Sequence, residues 1–263
     1  MKGIFDSHAH YFDSRYERET EGADVVLQEI FSDCIGTIIN VATNMENVDR
    51  CLKQAARYER MYSAVGIHPE DAQQLGLDPE RELATLEKLL AEREKHKIVA
   101  LGEIGFDYHY EPVNYDLQKI FFEKQMQLAE KYDLPVIIHD REAHGDCFDM
   151  ICRFPNVRGV FHSYSGSLEM ARELIRRGWY ISFSGVVTFK NAERVRHVAA
   201  GIAPDRLLAE TDAPYLAPHP NRGKINRSDY MVYTISTLAQ LFDISPEDMV
   251  ALTRKNAETL FGL

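Results

Sequence analysis

Short apolar runs recur along the whole chain and are separated by longer segments of mixed apolar and polar residues. Eight runs have the length of a strand, and most are nearly uninterrupted, as expected when both faces of a parallel strand are covered. They lie at residues 3–6, 37–41, 62–66, 98–101, 136–138, 159–161, 180–183 and 207–208. The pattern therefore predicts eight buried parallel strands.

The segments between these runs carry signals for helix starts. Asp78 and Ser245 each precede a proline, which places proline at the first helical position behind a capping residue. Thr43 is followed three residues later by Glu46, the spacing of a capping box. One apolar helical face is predicted from Leu117, Ile120, Phe121 and Leu128. Helices are therefore expected between the strands.

Eight strand and helix units in 263 residues favour an α/β fold of the (β/α)8 barrel type over a doubly wound sheet. No linker rich in glycine, serine or proline divides the chain, so we expect a single domain over residues 1–263. In such barrels the chemistry lies at the carboxyl ends of the strands. The positions that follow the apolar runs are therefore the candidates for a functional site.

Composition and charge restrict the class of protein. No stretch approaches the roughly 18 consecutive apolar residues of a membrane span, and the amino terminus enters a strand without a signal-peptide core, so we expect a soluble, cytoplasmic protein. The four cysteines show no CxxC spacing and are expected to be reduced. The 41 acidic and 30 basic side chains give a net charge of −11, which opposes a broad polyanion-binding surface.

Several potential metal ligands lie at or just past the ends of the predicted strands. They are His8, His10, Glu103, His139, His162 and Asp212. Imidazole and carboxylate together suit zinc, manganese, iron or magnesium ions. His8 and His10 are two residues apart, so on an extended segment both imidazoles lie on the same side and can chelate one ion. The pattern predicts a metal-dependent hydrolase.

Two of the carboxylates are predicted to take part in catalysis. Glu103 follows an apolar run and is flanked by Gly102 and Ile104, so its buried charge requires a cation, which a bridging position between two ions would supply. Asp212 can either ligate an ion or accept a proton from a metal-activated water. Glu103 and Asp212 are therefore the predicted catalytic residues.

Four longer motifs resemble those of the TatD-type metal-dependent deoxyribonucleases. They are FDSHAH at residues 5–10, GEIGFDY at 102–108, FHSYSGS at 161–167 and ETDAPYL at 210–216, and the segment PHPNRGK at 218–224 is also similar to that family. The resemblance spans the chain. One departure follows the last segment, where Ser228 occupies a position at which relatives often carry proline.

The resemblance implies a distorted TIM barrel of the amidohydrolase superfamily with two divalent metal ions. One ion would be held by His8, His10, Glu103 and Asp212, and the other by Glu103, His139 and His162. Magnesium or manganese ions would be the expected activators, and zinc is also compatible with the histidine-rich ligands. The implied activity is that of a 3′-to-5′ exonuclease that acts on the phosphodiester bonds of DNA.

Candidate substrate contacts follow several of the predicted strands. Arg141, Lys190, Arg222 and Lys224 are candidates for phosphate binding, with solubilising surface charge as the alternative. His68 and Tyr215 are candidates for shaping the site or stacking on a nucleotide, although His68 before Pro69 could equally end a strand. So few cations favour single-stranded DNA or 3′ ends as the partner rather than a duplex.

Two other functions remain open at the level of the sequence. The same binuclear site could serve a D-aminoacyl-tRNA deacylase or another ester or amide hydrolase, because an activated water can attack either kind of bond. The chain could also be a non-catalytic metal-binding protein, although every expected ligand is present. We expect a monomer without membrane association.

Overall fold

The computed structural model describes all residues from Met1 to Leu263. The strands are β1 (Ile4–Ala9), β2 (Ile35–Val41), β3 (Met61–Val65), β4 (Ile98–Asp107), β5 (Val136–Arg141), β6 (Gly159–Phe161), β7 (Tyr180–Phe183) and β8 (Leu207–Ala209). The helices are α1 (Arg15–Glu19), α2 (Ala23–Asp33), α3 (Met45–Arg57), α4 (Pro69–Gln74), α5 (Pro79–Ala91), α6 (Tyr115–Tyr132), α7 (His144–Cys152), α8 (Leu168–Arg176), α9 (Glu193–Gly201), α10 (Met231–Phe242) and α11 (Pro246–Phe261).

The eight strands form one sheet in the order β1 to β8, the order in which they occur in the chain. Helices connect successive strands, and β1 also lies beside the segment that follows β8, where Ala9 and Ala213 form a parallel bridge. The fold is the predicted (β/α)8 barrel. Register shifts interrupt β1 between Asp6 and Ala9 and β4 between Leu101 and Ile104, so two of the strands that carry candidate ligands are irregular.

Two compact units can be distinguished within the chain, and the single domain over residues 1–263 stays a prediction. The first unit comprises Met1–Asn40 and His162–Leu263, and the second comprises Val41–Phe161. In the first unit, the backbone N–H of His10 donates to the carbonyl of Ala213 at 2.7 Å. In the second unit, β3 to β6 pair in parallel and α6 packs against β4.

The predicted strand ends are wrong for three strands that carry candidate ligands. β1, β4 and β5 each continue beyond the apolar run, so some of the ligands lie within strands rather than after them: His8, Glu103 and His139. The strands continue because backbone pairing does not require apolar side chains. Gly105, at a φ of +148°, permits this pairing, since a Cβ atom there would collide with the carbonyl oxygen of His139.

Helix starts agree with the prediction in two cases and differ in one. Asp78 and Ser245 cap α5 and α11, each with proline at the start of the helix. The capping box of α3 is formed by Asn44 and Asn47 rather than by Thr43 and Glu46. The Asn44 side chain accepts the backbone N–H groups at the helix start, which the Thr43 hydroxyl is too early in the chain to do.

The predicted apolar face of α6 is only partly the buried face. Phe121 is buried, whereas Ile120 is 45% exposed. Two glutamines, Gln118 and Gln125, are fully buried instead, because their amides bond to the backbone of the neighbouring strand ends.

Two further properties concern the cysteines and the helices. All four cysteines are free thiols, and Cys34, Cys51 and Cys147 are buried. None of the helices combines the length and the apolar character that crossing a membrane requires.

Candidate metal centre

His8, His10 and Asp212 form one group of candidate ligands in the first unit. The Nε2 atoms of His8 and His10 lie 3.0 Å apart. Oδ1 of Asp212 lies 3.7 Å from Nε2 of His8 and 3.3 Å from Nε2 of His10. The prediction that both imidazoles lie on the same side of the segment is therefore confirmed.

The backbone after β8 places Asp212 in this group. Asp212 has a left-handed φ of +57°, a conformation that costs free energy for a residue other than glycine. Its N–H donates to the carbonyl of His8 at 2.9 Å, which holds the strained residue beside β1. Burial alone raises the pKa of Asp212, but the imidazoles of His10 and His8 outweigh burial and hold the pKa below its ordinary value. Asp212 is therefore an anion at neutral pH.

His162 lies against this group. Its ring stacks on that of His8, with 4.2 Å between centroids and an interplanar angle of 13°. Nδ1 of His162 lies 3.3 Å from Oε1 of the buried Glu210, which also accepts the backbone N–H of Ser163 at 2.8 Å. A carboxylate on one ring nitrogen fixes the tautomer, so that the other nitrogen is an acceptor suited to a metal ion.

A buried network around Asp6 holds β1, which contains His8 and is followed directly by His10. Asp6 accepts hydrogen bonds from the backbone N–H and the hydroxyl of Thr211 at 3.0 and 2.7 Å, and from the hydroxyl of Ser228 at 2.6 Å. Burial raises the pKa of Asp6, and the hydrogen bonds lower it. Burial has the larger effect, so the pKa is about 7. The network ties β1 to the residues that follow β8.

Glu103, His139 and His68 form a second group, within the second unit. Nδ1 of His139 lies 2.6 Å from Oε1 of Glu103, and Nε2 of His68 lies 3.5 Å from the same oxygen. The rings of His68 and His139 contact each other edge to face at 4.3 Å. His68, predicted as a substrate contact, therefore lies among the candidate ligands of this unit.

Asp107 holds the second nitrogen of His139. Oδ2 of Asp107 lies 2.9 Å from Nε2 of His139. Burial raises the pKa of Asp107, but the hydrogen bond and charge of His139 outweigh it, so the pKa lies below its ordinary value. The pair has the form of a carboxylate that orients a metal-binding histidine.

Two buried glutamines of α6 fix the backbone beside these residues. The amide of Gln118 accepts the N–H of Asp107 at 2.9 Å and donates to its carbonyl at 2.8 Å. The amide of Gln125 does the same for Ile67, which precedes His68, at 2.8 and 3.1 Å. The two side chains are seven residues apart, or two helical turns, so one face of α6 positions both segments.

The side chains of each group fit a divalent metal ion. The ligand atoms of His8, His10 and Asp212 all lie within 4.8 Å of one another, and the same holds for His68, Glu103 and His139. Metal bonds to imidazole and carboxylate of about 2.0–2.2 Å place neighbouring ligand atoms about 3–4 Å apart. The Nε2 atoms of His8 and His10, which lie 3.0 Å apart, are imidazole nitrogens, and such nitrogens are common metal ligands. The number and identity of the ions stay predictions.

The predicted substrate-binding cations are partly engaged with neighbouring side chains. The Arg222 guanidinium lies 3.8 Å from the ring centroid of Phe189, and that of Arg141 lies 4.8 Å from the ring of Tyr110. Nζ of Lys224 lies 3.2 Å from Oδ1 of Asn221, and Lys190 is exposed. Contact of these four cations with phosphate stays a prediction.

Reasoning from the sequence missed Asp107 and Glu210. Both lie inside motifs that carry the resemblance, four residues after Glu103 and two residues before Asp212. A signal was present, because a metal-binding histidine commonly donates its second N–H to a carboxylate. The partner histidines lie on β5 and directly after β6, however, so the sequence alone does not pair them with these carboxylates.

Comparisons with known proteins extend over nearly the whole chain. A family model described as TatD related DNase matches residues 5–262. YabD of Bacillus subtilis, described as an uncharacterized metal-dependent hydrolase, is 36% identical over 262 residues, covering 99% of each chain. YcfH of Escherichia coli K12, described in the same words, is 33% identical over 262 residues, covering 99% of this chain and 96% of that protein.

A solved structure is similar to this chain in both fold and sequence. The crystal structure of YjjV, a TatD homolog from Escherichia coli, matches with a TM-score of 0.89 and 31% identity, covering 99% of this chain and 98% of that chain. The match agrees with the barrel described above.

Proposed function

The chain belongs to the TatD-related DNase family of metal-dependent hydrolases, and we propose that it is a deoxyribonuclease that removes nucleotides from the 3′ ends of DNA. The observation that carries the proposal is the convergence of His8, His10 and Asp212, with ligand atoms within 4.8 Å of one another. A divalent ion held by such a group could activate a water for attack on a phosphodiester.

We propose that the candidate ligands would hold two divalent ions, as the resemblance implies, and that both ions would use Glu103. One ion would be held by His8, His10, Glu103 and Asp212, and the other by Glu103, His139 and His162. His68, which lies 3.5 Å from Glu103, is a further candidate ligand. Magnesium or manganese ions suit phosphoryl chemistry, and zinc suits the imidazole content.

The residues of the chain have separate roles in the proposed reaction. When bound, the ions would lower the pKa of a water and polarise the phosphodiester. Asp212, kept ionised by its neighbouring imidazoles, accepts the proton of the attacking water. Glu210 and Asp107 orient His162 and His139 through their second ring nitrogens. No covalent nucleophile is required.

The charge of the chain favours short or single-stranded DNA as the substrate. A net charge of −11 repels an extended duplex, and only a few cations are candidates for phosphate contacts. Arg141, Lys190, Arg222 and Lys224 are proposed to bind phosphates that flank the scissile bond. An aromatic surface is then needed to supply affinity that does not depend on charge.

The test compares cleavage of single-stranded DNA labelled at the 5′ or the 3′ end. Metal-stripped protein is restored with Mg²⁺, Mn²⁺ or Zn²⁺, and Glu103→Ala is the control. We expect a metal-dependent ladder from the 5′ label, immediate release of the 3′-terminal label and no cleavage by the variant.

Two other outcomes would contradict the proposal. Metal-loaded protein that leaves DNA intact but hydrolyses a D-aminoacyl-tRNA ester would identify a deacylase. Metal-loaded protein that is inert toward phosphodiesters, esters and amides would identify a non-catalytic metal-binding protein.

A further inference from the structure

Arg15 and Tyr215 form a stacked pair beside the first group of candidate ligands. The guanidinium carbon of Arg15 lies 3.8 Å from the centroid of the Tyr215 ring. The same ring meets the imidazole of His10 edge to face at 6.2 Å. A cation placed at this distance over an aromatic face is attracted by the ring and restricts its motion.

Asp13 fixes the guanidinium in this position. Oδ1 of Asp13 accepts hydrogen bonds from the backbone N–H and from Nε of Arg15 at 2.8 and 3.1 Å, and Oδ2 accepts one from Nη2 at 2.9 Å. Burial raises the pKa of Asp13, but the hydrogen bonds from Arg15 outweigh it and lower the pKa below its ordinary value. The two side chains therefore form a planar pair of opposite charges, with little net charge to offer a phosphate.

The backbone and hydroxyl of Tyr215 are also held. Its N–H donates to the carbonyl of Asp212 at 2.8 Å, and its carbonyl accepts the side-chain amide of the buried Asn226 at 2.7 Å. The Tyr215 hydroxyl lies 3.4 Å from Oδ2 of Asp13. Despite these contacts Tyr215 is 46% exposed, so part of its side chain is accessible to a ligand.

We propose that Tyr215, positioned by Arg15 and Asp13, stacks on the nucleobase of the nucleotide whose phosphodiester is hydrolysed. The inference rests on the proposed function and specifies how the nuclease would recognise its substrate. The exposed aromatic ring is rigid before binding, so little conformational entropy is lost when a flat group packs on it. A charge-neutral pair behind the ring suits an uncharged base better than a phosphate. The contact with His10 places the Tyr215 ring next to a candidate metal ligand.

The experiment compares two single-stranded oligonucleotides that differ only at the 3′-terminal residue, which is thymidine in one and an abasic tetrahydrofuran residue in the other. Both are cleaved by Mn²⁺-loaded protein, and kcat and KM are measured. Calorimetry then compares the binding of dTMP with that of deoxyribose 5-phosphate. The variants are Tyr215→Leu, Tyr215→Phe and Arg15→Lys, and the controls are Tyr233→Leu and Arg18→Lys, which alter exposed residues of the same unit.

Loss of one stacked base corresponds to about 5- to 150-fold in affinity. We expect Tyr215→Leu to raise KM for the thymidine substrate by this factor, with little change in kcat and little change for the abasic substrate. Tyr215→Phe should stay within about twofold of the wild type because it keeps the ring. Arg15→Lys should give an intermediate loss, because lysine keeps the charge but not the planar pair with Asp13. The preference for dTMP over deoxyribose 5-phosphate should decrease in parallel.

The inference and the proposed function fail in different ways. If the wild type cleaves both oligonucleotides and Tyr215→Leu affects them equally, the stacking role is wrong and the nuclease remains. If the wild type cleaves neither, the proposed function is wrong, and the calorimetric comparison still decides whether Tyr215 binds a base. A dTMP preference that is unchanged in Tyr215→Leu and Arg15→Lys overturns the inference in either case.

Discussion

Asp107 lies 2.9 Å from Nε2 of His139, whose other ring nitrogen, Nδ1, lies 2.6 Å from Glu103. Nε2 of His139 thus contacts the carboxylate of Asp107, which the sequence analysis did not identify as a ligand. Nδ1 of His139 faces Glu103, a candidate metal ligand. We therefore expect Asp107 to position His139 for metal binding rather than to bind an ion itself.

Asp107→Asn should therefore weaken metal binding without unfolding the protein. The amide removes the negative charge that raises the basicity of His139, and loss of such a partner typically lowers metal affinity about 10- to 100-fold. Competition with a chelating indicator measures the affinity directly, with Asp149→Asn, at an exposed position of α7, as the matched control. Equal affinity in Asp107→Asn and the control would show that Asp107 does not act through His139.

Asp212→Asn should reduce turnover more than it reduces metal content. An amide cannot accept the proton of the attacking water, and loss of a general base typically lowers the rate about 10²- to 10⁴-fold. Steady-state kcat should be measured at saturating Mn²⁺, together with the metal content of the same sample. Normal turnover with the metal content of the wild type would show that the base is another residue.

Gln125→Leu should destabilise the fold even though it replaces a buried polar residue with an apolar one. The change removes the two hydrogen bonds to Ile67 and leaves a buried backbone N–H and carbonyl unpaired. The expected decrease in the free energy of unfolding is about 1–3 kcal/mol, as measured by urea denaturation. Gln127→Leu, on the exposed side of α6, should change stability by less than about 0.5 kcal/mol. Similar values for the two variants would contradict the role of Gln125.

The thiols should differ sharply in reactivity in the folded protein. Burial raises the pKa of Cys34 to about 11 and that of Cys51 to about 12, and it also raises the pKa of Cys147 well above its ordinary value. The thiolate is the reactive form, so at pH 8 only the partly exposed Cys152 should react quickly with Ellman's reagent. Cys152→Ser should abolish the fast reaction. Two or more fast-reacting thiols in the native protein would contradict these burial effects.

The sequence predicted the barrel and the ligand types because both depend on local patterns. Apolar runs marked β6 and β7 at the residues observed, and polar residues beyond the runs marked His162 and Asp212. It placed the ends of β4 and β5 too early because backbone pairing continues through Glu103 and His139. The pattern of side-chain polarity does not show where the hydrogen bonds between strand backbones end.

The supporting residues could not be identified in the same way. Gln118 and Gln125 occupy the buried face of α6, where helical periodicity favours apolar residues, and their role depends on strand ends far away in sequence. The hydroxyl of Ser228, at a position where relatives often carry proline, donates a hydrogen bond to the buried Asp6 at 2.6 Å. Proline could not form this bond. The departure from the family pattern therefore has a structural role that appears only once Asp6 and Ser228 are seen together.

The proposed metal-dependent cleavage of DNA is tested most directly by titrating metal-stripped protein with Mn²⁺ while measuring both bound metal and the rate of nucleotide release from single-stranded DNA. We predict no release by the stripped protein, a rate that rises with metal occupancy, and no restored rate in Glu103→Ala. Release at the same rate by stripped protein, or by Glu103→Ala at every Mn²⁺ concentration, would contradict the account.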